Sequence, residues 1–203
     1  LANTNANKLA YFVKNNVSTL ELTGKIAGEY AATSIDDRAY LEVQPGGLLR
    51  VVTNQAGNNF LMGLTAGVPD PAKAFGGQIA LQGDTNAART ASNWGYFEIT
   101  GDANQTITAN ITGGGNGDQG GIFIYNSTGT LTLSPGTTAT SAADGNTLFN
   151  SRNQINQGTV IFAGSAGGGA WRNDGFISVG GGATLQINTA ETTNIGVMKN
   201  ASL

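Results

Sequence analysis

Five aspartates, Asp84, Asp102, Asp118, Asp144 and Asp174, recur at intervals of 16–30 residues along the second half of the chain. On a backbone that returns to one face with each turn they would line up, and paired carboxylates do the acid and base work of glycoside cleavage. Most of them sit beside Gly or Asn, where Asp is expected as a turn residue. The chain has no His, which removes the commonest general base. Asp36 and Asp37 in the run SIDDR are adjacent. On a strand they would point to opposite faces and form no acid/base pair, so a turn or helix cap is the better reading. No catalytic residue is assigned, and the chain is expected not to be an enzyme. Trp94 and Tyr96, beside Phe97, and Trp171 farther on are the candidate binding residues, because their rings would stack on a sugar. Core packing, or covering the end of a stacked fold, explains the same aromatics equally well.

The run GGGNGDQGG (residues 113–121) resembles the calcium-binding nonapeptide repeats. That resemblance makes Asp118 the candidate metal ligand and calcium the one possible cofactor. Those repeats work in tandem, with successive turns sharing each ion. Here the motif occurs once and the Asp comes one position early, so a Gly-rich corner is the favoured reading.

Charged residues make up 11% of the chain, against roughly 25% in ordinary soluble domains. Gly (31 residues), Asn, Thr and Ser take their place. Ten basic residues, spread without a cluster, face thirteen acidic ones, so phosphate binding has no electrostatic support and nucleic acid is not an expected partner. The absence of Cys excludes disulfides and thiolate metal sites. No run approaches the ~18 apolar residues that span a bilayer, so membrane insertion by this segment is not expected. The chain opens at Leu1 without a signal-peptide pattern and reads as a mature form or an excised fragment.

Short period-2 alternations recur from residue 76 onward: 78–81, 96–99, 107–111, 122–125, 130–133, 159–162, 176–179 and 184–187. Each is bounded by a Gly breaker. Strands of four or five residues cannot bury a face alone, so many of them, evenly spaced, predict a sandwich, a barrel or a solenoid. Self-similarity favours the solenoid. STGTLTLSPG (127–136), NQGTVIFAG (156–164) and NDGFISVGG (173–181) share one template, with offsets of 29 residues from Gly129 to Gly158 and 17 from Gly158 to Gly175. In a stacked coil Val, Ile, Leu and Phe fill the inside, Asn and Thr form ladders outside, and scarce charge avoids like-charge stacking. Residues 1–75 are expected to be an irregular N-terminal β region or solenoid cap, and 76–203 the regular coils, within one continuous domain. In the first part, 16–28 and 41–54 read as strand pairs, the second with a Pro45-Gly46-Gly47 turn. Residues 4–13 read as a short helix and 67–77 as a loop.

The stretch WRNDGFISVGGGATLQIN (171–188) resembles the passenger regions of bacterial autotransporters and related repeat adhesins. NQGTVIFAG and STGTLTLSPG follow the same grammar, and fungal cell-wall adhesins use similar phrasing. The resemblance spans roughly residues 76–200; the first 75 residues lack the motif, and these 203 residues include no C-terminal membrane-barrel segment. It implies an all-β, right-handed parallel β-helix (β-solenoid) with short strands and Gly/Asn/Thr-rich turns, and an extracellular or cell-surface location. It also implies a role in attachment or surface coating. The expected partners are a host cell, a glycan or other surface ligand, or copies of the chain itself. A self-assembling surface-layer or fibre subunit and a carbohydrate-active β-helix enzyme are the alternatives.

Overall fold

In the computed structural model, the described residues are 10–11, 18–23, 26–27, 40–54, 61–65, 68–70, 72–76, 78–81, 94–108, 110–113, 121–134, 152–163 and 177–188. They are all-β, with no helix among them. The first strands are β1 (Ala10–Tyr11), β2 (Thr19–Leu22), β3 (Ile26–Ala27), β4 (Tyr40–Val43), β5 (Leu48–Thr53), β6 (Leu61–Thr65) and β7 (Val68–Asp70). Then come β8 (Gln78–Leu81), β9 (Tyr96–Gly101), β10 (Gln105–Ile107), β11 (Asn110–Gly113), β12 (Ile122–Ser127) and β13 (Thr130–Leu133). The last are β14 (Arg152–Ile155), β15 (Thr159–Ala163), β16 (Ile177–Val179) and β17 (Thr184–Asn188).

The strands form four sheets. The first is ordered β1-β4-β8-β11, the second β16-β14-β12-β9-β5-β2, the third β10-β13-β15-β17 and the fourth β3-β6-β7. Every pairing is parallel except that of β6 with β7. Parallel neighbours need crossover connections. Here the crossovers run through strands of the other sheets: β8, β9 and β10 lie in the first, second and third sheets, and β11, β12 and β13 repeat that order. Strands from before and after residue 75 share sheets, since β4 pairs with β8 and β5 with β9.

Register follows side-chain chemistry. In the second sheet Leu49, Phe97 and Phe123 stand in one buried column, and Val51, Ile99, Tyr125 and Ile155 in the next. The Phe97 and Phe123 rings lie 5.9 Å apart and tilted. In the third sheet Leu131 and Val160 are buried side by side, as are Ile107, Leu133 and Phe162. Leu41, Ile79 and Ile111 continue this core in the first sheet. A slip of one residue would put each apolar column on the outer face, which pins the register. Asn153 is the exception, a buried amide in register with Phe123 and Ile177.

Two glycines take a positive φ that side chains disfavour. Gly46 has φ 80° after Pro45, and the Gly47 N–H donates to the Gln44 carbonyl at 3.0 Å. This is the pattern of a type II turn. It sends β5 into a different sheet from β4, so the pair is not a hairpin. Gly101, at φ 108°, ends β9, and a Cβ there would stand 1.8 Å from the Thr53 carbonyl oxygen of the neighbouring strand.

Several expectations are corrected. Residues 107–111 are not one strand, because Ile107 ends β10 in the third sheet and Asn110 opens β11 in the first. The expected helix over 4–13 is contradicted at Ala10–Tyr11, which pairs with β4 as a strand; its other residues lie outside those described. The expected loop at 67–77 contains β7, which folds back on β6. The 29-residue offset is a true neighbour relation, with Leu131 opposite Val160. The 17-residue offset is not. Val160 pairs with Leu185, whereas Ile177 pairs with Asn153 in another sheet. The same template occurs on strands of two sheets, so matching phrases need not be neighbours.

Candidate functional site

The outer face of the second sheet carries a charged column. Glu21, Arg50 and Glu98 stand in register on β2, β5 and β9. The Arg50 guanidinium donates from Nε to Glu98 at 2.6 Å and from an Nη to Glu21 at 3.3 Å. Asn126 Nδ2 donates to the other Glu98 oxygen at 3.3 Å, and Gln157 Nε2 donates to Asn126 Oδ1 at 2.7 Å. Charge thus alternates along the column, which avoids like charges face to face; Ile124 takes the register place beside Glu98 on β12, and Asn126 reaches Glu98 from two residues farther along that strand. Glu98, paired with Arg50 first and the largest influence on it, pushes the guanidinium pKa above its ordinary value and holds it charged.

A second feature lies where the third and fourth sheets meet. The β6–β7 hairpin departs from the parallel pattern, and Phe75 takes the place beside Ile107 of β10, its carbonyl accepting from the Thr108 N–H at 2.8 Å. The gap between hairpin and β10 is bridged by a side chain: Gln105 Oε1 accepts from the Leu61 N–H at 3.4 Å. Beside this bridge a groove of about 480 Å³ opens, with Leu61, Ala72 and Ala74 as its apolar share. Its polar share is Lys73, Asn104, Gln105, Thr106, Thr130 and Thr132. A volume of this size falls in the range of small-ligand sites, about 300–1,000 Å³.

Local structure fixes each of these groups. Thr106 and Thr132 are register partners on β10 and β13, so their hydroxyls neighbour each other on the outward face. Asn104 Oδ1 accepts from the Thr130 N–H at 2.8 Å and ties the start of β13 to the residue just before β10. Lys73 sits in a turn closed by its own N–H donating to the Asp70 carbonyl at 3.0 Å. The Asp70 carboxylate accepts from the Thr65 hydroxyl at 2.6 Å and the Ala72 N–H at 2.9 Å. Those donors, Thr65 foremost, hold its pKa below the usual carboxylate value, and the Lys73 charge adds to the effect. Gly63 lets this turn lie against β6. Its N–H donates to the Lys73 carbonyl at 2.7 Å, and a Cβ at Gly63 would stand 2.6 Å from the Ala74 oxygen.

Trp94 is only 7% exposed, and its carbonyl accepts from the Gly46 N–H. A ring that stacks on sugar must present a face, so this placement supports core packing for Trp94. Tyr96 is half-buried at the start of β9, where its N–H donates to the Gly47 carbonyl at 2.8 Å. Trp171 and Asp118 lie outside the described residues, as do Asp36, Asp37, Asp84, Asp144 and Asp174. Asp102 is exposed in the bend after Gly101. Among the described residues no three His, Cys, Asp or Glu side chains gather to hold a metal, and no helix is long and apolar enough to cross a membrane. Sequence reasoning missed the groove. Its residues come from four separate stretches, at 61, 72–74, 104–106 and 130–132, and they share no sequence sign.

Comparison with protein-family models, with curated proteins and with solved structures finds no match.

Proposed function

We propose that this chain is a β-solenoid segment of a secreted or cell-surface adhesin, which attaches through its outer faces and performs no catalysis. The observation that carries this reading is the repeated visit of the chain to the same sheets in the same order, in strict register. Such a path leaves outward columns of like residues, among them Asn104, Thr130, Thr159 and Thr184 from one strand to the next. A face of hydroxyls and amides with little charge suits many weak polar contacts, which multiply when copies are displayed together. The sequence resemblance to autotransporter passengers points the same way and supplies the right hand of the helix.

The charged column also favours a non-catalytic role. Carboxylates that cleave glycosides must face a substrate across a gap. Glu21 and Glu98 share a column, but Arg50 stands between them and is bonded to both. A second reading, self-assembly into a surface layer or fibre, is favoured by the last strands. Val179 on β16 is 37% exposed and Ile187 on β17 is 46% exposed. Calcium bound by Asp118 belongs to the proposal only if binding proves calcium-dependent.

The test is a glycan and cell-surface binding assay of the monomeric chain against the same chain clustered on beads, with and without calcium. Adhesion predicts saturable binding that strengthens roughly 100-fold or more on clustering. Release of reducing sugar from any bound glycan would reject the non-catalytic reading. Ordered filaments in electron micrographs, without surface binding, would move the role to assembly.

A further inference from the structure

We infer that the groove between the β6–β7 hairpin and β10 is a binding site for an acidic sugar unit, a carboxylate carried on a ring of hydroxyls. This inference names the ligand class for the adhesive role proposed above and rests on that reading for its biological sense. Its chemistry rests on the groove alone.

Gln105 is the anchor. It is only 7% exposed, and its amide is held at one end because Oε1 accepts from the Leu61 N–H. Its Nε2 is buried and has no hydrogen-bond partner among the described residues. An amide N–H₂ buried without an acceptor is unfavourable, so a small shift of Gln105 that brings Nε2 to a ligand oxygen in the groove is favoured. Around it the polar lining is rich in donors. Lys73 supplies an ammonium and Thr106, Thr130 and Thr132 supply hydroxyls. No aspartate or glutamate is among the described lining residues. A donor-rich groove with one cation selects an acceptor-rich ligand with one negative charge.

Other ligand classes fit less well. A flat apolar ligand would need aromatic or aliphatic walls, and the described apolar share is one Leu and two Ala. A phosphate or a nucleic-acid strand calls for several cations or an arginine fork, and the groove offers one lysine. A ring of hydroxyls instead matches the threonines, which donate and accept in turn. Lys73 is held in place from behind, by Asp70 through the turn and by Gly63 through the close approach of its backbone.

The experiment is a titration of the whole chain with glucuronate and galacturonate, as monosaccharides and short oligomers. Glucose, galactose and acetate are run in parallel, and amide and side-chain N–H₂ resonances are followed by nuclear magnetic resonance. The site predicts saturable shifts of the Gln105 side-chain N–H₂ and of the Thr106 and Thr132 amides with the uronates. Neutral sugars should bind at least about tenfold more weakly, since a charge-assisted hydrogen bond is lost. Lys73→Gln, a change at an exposed side chain, should remove the preference for the acid and leave the spectrum otherwise native. Gln105→Glu keeps an acceptor for Leu61 and should repel the uronate. Equal response to acetate would overturn the sugar assignment. No response at Gln105 to millimolar uronate, or binding unchanged in Lys73→Gln, would overturn the site. If the chain adheres to a surface through other faces while the groove stays silent, the adhesin reading stands and this inference fails. If the groove binds uronate and no surface is bound, the reverse holds.

Discussion

The middle of the second sheet and the last strands of the molecule follow one pattern of alternation with opposite burial. On β9 and β12 the inward residues Phe97, Ile99, Phe123 and Tyr125 are at most 1% exposed. On β17 every residue is exposed or half-buried, including Leu185 and Ile187. The sequences TLTL of β13 and TLQI of β17 are nearly the same, and β17 pairs in register through β15. What differs is the number of neighbours. A strand flanked on both sides buries its apolar column against two others, and β17 has one neighbour among the described strands. Alternation therefore specifies which way a side chain points, and position in the stack decides how much that direction is worth.

This contrast can be broken at matched positions. The largest effect is expected from emptying the central column. Phe97→Ala should cost about 3–5 kcal/mol, and Ile187→Ala on the last strand less than about 1 kcal/mol, both by denaturant unfolding. Equal losses would show that β17 is buried in solution. Glycine substitution should give the next largest effect. Gly101→Ala combines a positive φ with a clash against Thr53 and should cost about 2–4 kcal/mol. Gly182 also has a positive φ, of 87°, but open space around it, so Gly182→Ala should cost about 1 kcal/mol from backbone strain alone.

Smaller effects test the outer columns. Arg50→Met removes both ion pairs and leaves the largely buried Glu98 carboxylate without its cation. The guanidinium is one-third exposed, so solvent screening limits the loss to about 1 kcal/mol. Gln186→Met on β17, whose amide bonds only its neighbour Asn188 among the described side chains, should be neutral within about 0.5 kcal/mol. The smallest effect is a pH dependence confined to the centre. Burial raises the Tyr125 pKa above its ordinary value, with Ser127 acting weakly the other way. A raised folded-state value means the stabilisation is whole below about pH 10, the unfolded value, and is lost as pH climbs through the folded one. Unfolding titrations should show stability falling in that alkaline range for the native chain, with the Tyr125 contribution to that slope absent in Tyr125→Phe.

Much of the sheet structure was legible. The strands Gln78–Leu81, Thr130–Leu133 and Thr184–Asn188 stand where strict alternation between breakers put them. The Pro45-Gly46-Gly47 turn was legible because φ restriction and φ freedom sit side by side. Strand Arg152–Ile155 was not. Its only aliphatic residue is Ile155, and its inward Asn153 breaks the apolar alternation. The division of 107–111 between two sheets was hidden because no Gly or Pro stands between Ile107 and Asn110. The groove was illegible for a different reason. Gln105 and Lys73 come together because the β6–β7 hairpin leaves the parallel pattern, and nothing in an isolated GLTAGVPD run states where it will fold back. For Trp94 the sequence left sugar stacking and core packing equally open, because composition says nothing of burial.

The central proposal is that the parallel sheets wind together as one solenoid. Paired spin labels test it most directly, and a chain without cysteine accepts them cleanly at introduced sites. Ile124, Gln154 and Ser178 are register partners on neighbouring strands of the second sheet, and Thr132, Ile161 and Gln186 on those of the third. Labels placed across the two sheets, at 124 with 132, 154 with 161 and 178 with 186, should give the same distance on every rung. Along either sheet the separation should grow by about 4.8 Å per strand. Cross-sheet distances that change from rung to rung would contradict the solenoid and leave a set of parallel sheets without a common axis.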